Sequence, residues 1–189
     1  MPPTVTHKLA QLDLVLFSGG LDSSTLGAQL LASGRQPELL FVDYGQRSRA
    51  AERRSSRTIA ARWGCRLAEL SVEGLYPRKG EISGRNALLV HAALAHRPHA
   101  PGLHLGIHAG SGYRDCSPAF VELMQRSLDL HTDGAMRLSA PFIGMSKAEL
   151  VVLARGAGVP FELTHSCEVS DEPCRRCRSC RDREALDVR

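Results

Sequence analysis

The chain has 189 residues, 43% of them hydrophobic and 23% charged, with a formal net charge of +4. That composition describes one ordinary globular domain with a core of its own, and so mild a charge excludes a strongly electrostatic nucleic-acid binder. No apolar run approaches the ~18 residues of a membrane span, and the opening "MPPTVTHKLAQLD" lacks the basic-then-apolar pattern of a secretory leader, so a cytoplasmic location is expected.

Residues 12–17, "LDLVLF", run apolar after Asp13 with no polar alternation, as a central parallel strand does. After the turn "SGGLDSS", a helix is expected over 23–33, with Leu26, Leu30 and Leu31 on one face and Gly34 closing it. A strand at 37–45, a helix at 49–64 with Ile59, Ala60 and Trp63 toward the core, and a strand at 65–72 follow. Residues 73–84, "EGLYPRKGEISG", read as a loop over the strand ends. A helix at 85–96 and a strand at 102–109 come next. Two further helices announce their own starts, one with Ser117 as cap and Pro118 at the first helical position, the other with Ser146 and Glu149 as a capping box. Strands alternating with helices predict an α/β fold, a Rossmann-like parallel sheet flanked by helices. The expected organisation is a single domain over 1–189, carrying a cysteine-bearing segment at 164–183 near its C-terminus.

Open parallel sheets bind ligands beyond the carboxyl ends of their strands, and residues 18–24 lie at such an end. Gly19 and Gly20 permit positive φ and close approach of a ligand to the backbone. Amides of this turn and of the first helical turn converge on one spot and attract an anion, with the Ser23 and Ser24 hydroxyls as further donors. Asp22 repels a bare phosphate, so it orients the loop, caps the helix or meets a magnesium ion. The stretch lacks both the P-loop's terminal Lys-Ser/Thr and the Gly-x-Gly-x-x-Gly spacing of dinucleotide folds.

Four of the six cysteines, Cys167, Cys174, Cys177 and Cys180, fall in "SCEVSDEPCRRCRSC". Two Cys-x-x-Cys steps share Cys177, and Cys167 can close a tetrahedral set of thiolates around a structural zinc. An iron–sulfur cluster, one redox pair and free thiols remain as alternatives. Cys65 and Cys116 stand outside the set, and Cys65 reads as a small core residue.

"SGGLDSS" after an apolar strand resembles the pyrophosphate loop of the ATP pyrophosphatases. Taken with "VDYGQRSRAAE", "GRNALLV", "SGYRDCSPAF", "APFIGMSKAEL" and "THSCEVSDEPCRRCRSCRDR", it makes the chain similar to one branch of them, the 7-cyano-7-deazaguanine synthase family of the queuosine precursor pathway. The resemblance spans about 14–183. It implies an adenine-nucleotide-hydrolase-like sheet, ATP, Mg2+ and Zn2+ as cofactors, and a homodimer with no membrane or nucleic-acid partner. It also implies a reaction: 7-carboxy-7-deazaguanine is adenylated, ammonia gives the amide, and a second ATP gives the nitrile.

By motif, Ser18, Gly19, Gly20, Asp22, Ser23 and Ser24 then hold pyrophosphate and magnesium, and Asp43, Tyr44, Gln46 and Arg47 hold the nucleotide. Lys147 contacts phosphate, Arg85 and Asn86 hold a carboxylate, and Gly112, Tyr113, Arg114 and Asp115 face the deazaguanine. Asp22, Lys147 and Arg85 form the catalytic set, whereas His108 and His165 read as packing or hydrogen-bonding histidines. The chain departs from the family in its short 73–84 segment and in "HAGSGYRDC", where the family has a "VDYSGYPDC" pattern. That acceptor side raises two alternatives, an enzyme stopping at the amide and one joining the activated acid to another amine such as a peptide or protein. A thiolase-like tRNA enzyme is the more distant one.

Overall fold

The computed structural model describes residues 12–75 and 82–188. Five strands form one sheet: β1 (Leu14–Leu16), β2 (Glu38–Asp43), β3 (Leu67–Ser71), β4 (Gly102–Leu105) and β5 (Arg137–Ser139). Their order is β3-β2-β1-β4-β5 and every pairing is parallel. The expected α/β architecture is therefore what the chain adopts. Among the described residues six α-helices accompany the sheet: α1 (Leu21–Ala32), α2 (Arg49–Trp63), α3 (Arg85–His96), α4 (Pro118–Thr132), α5 (Lys147–Gly156) and α6 (Arg178–Ala185).

The uninterrupted apolar run of β1 has a simple cause, because helices cover both faces of the sheet. Leu14 and Leu16 enter a cluster with Val90 and Ala93 of α3 and Met124 and Leu128 of α4. Val15 and Phe17 enter the opposite cluster, with Leu26 and Leu30 of α1, Ile59 and Ala60 of α2 and Leu150 of α5. Leu14, Val15, Leu39, Leu40 and Leu103 are fully buried, and each contributes about 1.5–3 kcal/mol of hydrophobic stabilisation. Trp63 packs on α1 so closely that a Cβ at Gly27 would lie 2.8 Å from its ring.

Several expectations shift. Helix α1 begins at Leu21, so Asp22 sits inside its first turn rather than before it. The strand expected to 109 stops at Leu105, beyond which the chain turns across the start of α1. Leu31 is only half-buried and stands outside the core clusters, and Cys65 is half-exposed rather than a core residue. Residues 76–81 of the expected 73–84 loop lie outside the described residues.

Two elements escaped the sequence reading. Strand β5 has three polar-to-mixed residues, and pairing with β4 creates it (Gly102 opposite Arg137, His104 opposite Ser139). Its outer side is satisfied by the Gln125 amide of α4, which donates to Met136 O at 2.9 Å and accepts from Leu138 N at 2.7 Å. Helix α6, "RSCRDREA", has no apolar stripe, and its one buried residue is Cys180.

Candidate functional site

The strand order places the topological switch between β1 and β4, since the chain moves outward through β2 and β3 and then returns to β4 on the other side of β1. Ligands of open α/β sheets bind there, beyond the strands' carboxyl ends. A cavity of about 360 Å³ lies at this point, within the ~300–1,000 Å³ usual for small-molecule sites. It gathers Ser18, Gly20, Asp22, Ser23, Tyr44, Gln46, Arg85, Asn86, Tyr113 and Lys147 from five separate stretches of chain.

The turn after β1 is built to face an anion. Gly19 takes φ +70°, and a Cβ there would meet Ser56 N at 2.6 Å, so only glycine lets the loop lie against α2. Gly20 is the helix cap and makes no side-chain capping bond. Ser18 Oγ accepts from Gly20 N–H at 3.3 Å and lies 3.3 Å from Ser23 Oγ, whose hydroxyl donates to Gly20 O at 3.2 Å. Lys147, the first residue of α5, places its ammonium on Asp22 Oδ1. A cation at a helix N-terminus opposes the helix dipole, and here this partly buried carboxylate accounts for it.

Across the cavity Arg85 opens α3. Burial works against its charge, but the Tyr44 hydroxyl and the Asp115 carboxylate more than offset that and leave its pKa raised. Burial in turn raises the Tyr44 hydroxyl, a neutral donor at physiological pH. The Arg85 guanidinium lies 5.9 Å from the centre of the Tyr113 ring, close enough for a cation–π contact. Asn86 is buried and tied to Asp115, donating its N–H to Oδ2 at 3.2 Å and its side-chain N–H to the backbone oxygen at 3.0 Å. Leu40, Val42, Leu89, Leu105 and Ile107 supply apolar walls.

The remaining sequence-derived candidates stand back from this lining. Gly19 and the fully buried Ser24 lie behind it. Asp43 accepts from Gly45 N–H at 3.0 Å and pairs with Arg53 at 2.6 Å. Arg47 and Arg114 are exposed and, like Gly112 and Asp115, do not line the cavity. Gln46 does line it, yet its amide protons go to Val42 O at 3.2 Å and Glu52 Oε2 at 2.9 Å, and its oxygen accepts from Tyr44 N. What it can still offer a ligand is the second lone pair of that oxygen.

The cysteine segment is part of this site's wall rather than an appendage. His165 N–H donates to Gly19 O at 3.0 Å, laying the segment along the glycine turn. Arg178 donates to the backbone oxygens of Gly110 and Ser111. Half-buried Arg183 donates to Thr164 Oγ1 at 2.7 Å and Phe161 O at 3.1 Å. Asp171 accepts from Ala51 N–H at 2.8 Å, the third amide of α2; the cap residue Ser48 makes no side-chain capping bond and turns its hydroxyl to Glu52. Ser166, Cys167, Glu168 and Val169 line the cavity.

The four thiols lie within 4.8 Å of one another. Cys174 Sγ and Cys180 Sγ are 4.0 Å apart, against about 3.8 Å for the edge of a tetrahedron with 2.3 Å metal–sulfur bonds. Backbone N–H groups of Cys177 and Cys180 point at the sulfurs of Cys174 and Cys177, at 3.3 and 3.4 Å. Burial alone would raise the Cys167 thiol; N–H groups of Val169, Cys174 and Ser170 bring it down to about 6. The donor set fits a thiolate-bound metal ion.

Sequence reasoning took His108 for a packing or hydrogen-bonding histidine and did not place it beside the glycine turn. His108, from the loop after β4, is 8% exposed, and its Nε2 lies 3.6 Å from Asp22 Oδ2. Nothing in "GIHAGSG" marks it, because the approach of β4 to α1 is tertiary. Gly106 permits that approach: a Cβ there would lie 3.0 Å from the Asp22 backbone.

Comparison with known proteins places this geometry among relatives. A family model described as queuosine biosynthesis protein QueC matches residues 13–77 and 75–186. The chain is 34% identical to the 7-cyano-7-deazaguanine synthase of Methanoculleus marisnigri, covering 87% of this chain and 88% of that one. It is 36% identical to the synthase of Gloeothece citriformis over 90% of this chain and 88% of the relative. The synthase of Pseudomonas putida is 32% identical over 89% of each. Among solved structures, a predicted subunit of tRNA methyltransferase from Methanocaldococcus jannaschii shares the fold with a TM-score of 0.55 at 20% identity, over 77% of this chain and 74% of that one.

Proposed function

The chain belongs to the family of queuosine biosynthesis protein QueC, and from that premise we propose that it is an ATP-dependent ligase converting 7-carboxy-7-deazaguanine, ammonia and two ATP to 7-cyano-7-deazaguanine, two AMP and two pyrophosphate, each AMP carrying away one carboxylate oxygen. The shared name of its relatives favours the nitrile over the amide-stopping and amine-joining alternatives. The observation that carries the reading is one cavity holding both halves of the chemistry. The glycine turn with Asp22 and Lys147 stands at one side, and half-buried Arg85 with Tyr44 and Tyr113 at the other.

The chemistry asks for two anions aligned and for charge to be stabilised as pyrophosphate leaves, without a protein nucleophile. Arg85, held charged, binds the carboxylate of the acid. Tyr113 offers a ring face to the flat heterocycle, with Arg114 and Asp115 behind it. Ser18, Ser23 and the amides at the start of α1 receive the β and γ phosphates, while Tyr44 and the remaining lone pair of Gln46 form the nucleotide end, with Asp43 and Arg47 set back from it. Lys147 stabilises the departing pyrophosphate. Magnesium, when bound by Asp22, shields phosphate charge. Cys167, Cys174, Cys177 and Cys180 hold zinc as a closed structural centre, which anchors the wall formed by Ser166–Val169 and keeps water from the acyl adenylate. A homodimer belongs to the same proposal.

The test is to incubate the protein with ATP, magnesium and 7-carboxy-7-deazaguanine, with and without ammonium, and to identify products by mass. Nitrile and AMP in the presence of ammonium are expected. ADP as the nucleotide product, or AMP release independent of the acid, refutes the reading.

A further inference from the structure

His108 has a fixed orientation. Its Nδ1 accepts from Gly110 N–H at 3.1 Å, capping the short turn Ala109–Ser111. An Nδ1 that accepts from an N–H carries no proton itself, so the ring proton is on Nε2, and Nε2 faces Asp22 Oδ2 at 3.6 Å. Lys147 donates to the other oxygen, Oδ1. Two donors from different elements, the loop after β4 and the start of α5, thus converge on one carboxylate at the mouth of α1. In this arrangement the Asp22 carboxylate supplies the negative charge they face. When Asp22 turns to a divalent cation, both donors are left facing whatever anion occupies the turn.

We propose that His108 is a second pyrophosphate donor, its Nε2–H stabilising the leaving group beside Lys147. The proposal rests on the ATP-cleaving reading above. In that step the acid's carboxylate oxygen bonds to the α phosphorus, the bond to the bridging oxygen breaks, and its electron pair stays on pyrophosphate. His108 donates a hydrogen bond to that charge and transfers no proton. Gly110 keeps the ring in place, since a Cβ there would lie 3.0 Å from Nδ1. A preorganised donor of this kind acts without reorganisation as charge develops.

The experiment compares His108→Asn, His108→Gln and His108→Ala with the wild type in acid-dependent exchange of labelled pyrophosphate into ATP. Calorimetric binding of magnesium pyrophosphate and thermal melting are measured alongside. Asn keeps the cap through Oδ1 but its amide does not reach Asp22, whereas Gln extends an N–H toward the Nε2 position. The expected result is a roughly 10- to 100-fold loss of exchange kcat in His108→Asn, the scale of one hydrogen bond to a charged group, with ATP KM little changed, weaker pyrophosphate binding and native melting. His108→Gln recovers part of the rate. A His108→Asn protein that matches wild type while His108→Ala is impaired reduces the residue to its capping bond and overturns the proposal, as does wild-type behaviour in every variant. If the wild type itself shows no acid-dependent exchange, the ATP reading falls and takes the proposal with it.

Discussion

Asp171→Ala tests how the cysteine segment supports the nucleotide side of the cavity. Asp171 spans 120 positions of sequence to accept from Ala51 N–H at 2.8 Å. That amide is the third of α2, the donor that a helix cap normally satisfies, and Ser48 is committed to Glu52 at 2.7 Å. Loss of a capping acceptor costs about 0.5–2 kcal/mol, centred near 1. For a domain of this size, 1 kcal/mol corresponds to about 2–4 °C in Tm. Thermal melting of the metal-loaded protein should therefore fall by about 3 °C in Asp171→Ala, and Asp171→Asn, which keeps an acceptor, should recover most of it. Asp171 lies between Cys167 and Cys174, so a metal ion on the four thiols would hold its acceptor in place. After chelation the same substitution should have almost no effect, because the bond is already lost in the parent. An equal drop with and without metal would refute the coupling and show that the segment folds on α2 independently of the cysteines.

Two other predictions follow from charge. Lys147→Ala should slow acid-dependent AMP release on the order of 10²-fold, as removal of a charge-stabilising donor does, with little change in Tm, because losing the Asp22 pair is offset by removing a cation from a helix N-terminus; equal ATP turnover in the two proteins would place the phosphate site elsewhere. His104, buried beneath the sheet beside Arg35, has its pKa lowered to about 4, first by burial and then by that cation, so its 3.6 Å approach to Asp13 is no ion pair at neutral pH. Between pH 6.5 and about 4 the unfolded chain binds a proton there that the folded chain does not, so stability falls with pH by about 3 kcal/mol over that window; denaturant melts at pH 7 and 4.5 should lose this difference in His104→Gln, and an unchanged pH slope in that variant would contradict it.

The sequence by itself determined the fold class, the glycine turn after β1 and the four-cysteine cluster, because each is a local pattern. Apolar runs such as "LDLVLF" report burial on both sheet faces, the Gly19–Gly20 pair reports a backbone that something approaches closely, and two Cys-x-x-Cys steps report thiols gathered at one point. Caps at Ser117 and Ser146 were legible for the same reason, since a cap bonds within its own turn. Tertiary structure decided the rest. Strand β5 exists because β4 and Gln125 satisfy its backbone, not because "RLS" favours extension. Gln46 and Asp43 looked like ligand contacts, but their hydrogen bonds turn mostly inward, and no sequence pattern reveals which partner a polar side chain has found. His108 meets Asp22 only when the loop after β4 crosses the start of α1, and Asp171 reaches Ala51 only when the cysteine segment folds back over α2. Periodicity and motif carry the short-range constraints of the backbone. Which distant donors and charges share a cavity depends on the order of strands in the sheet, and strand order is not written in any one segment.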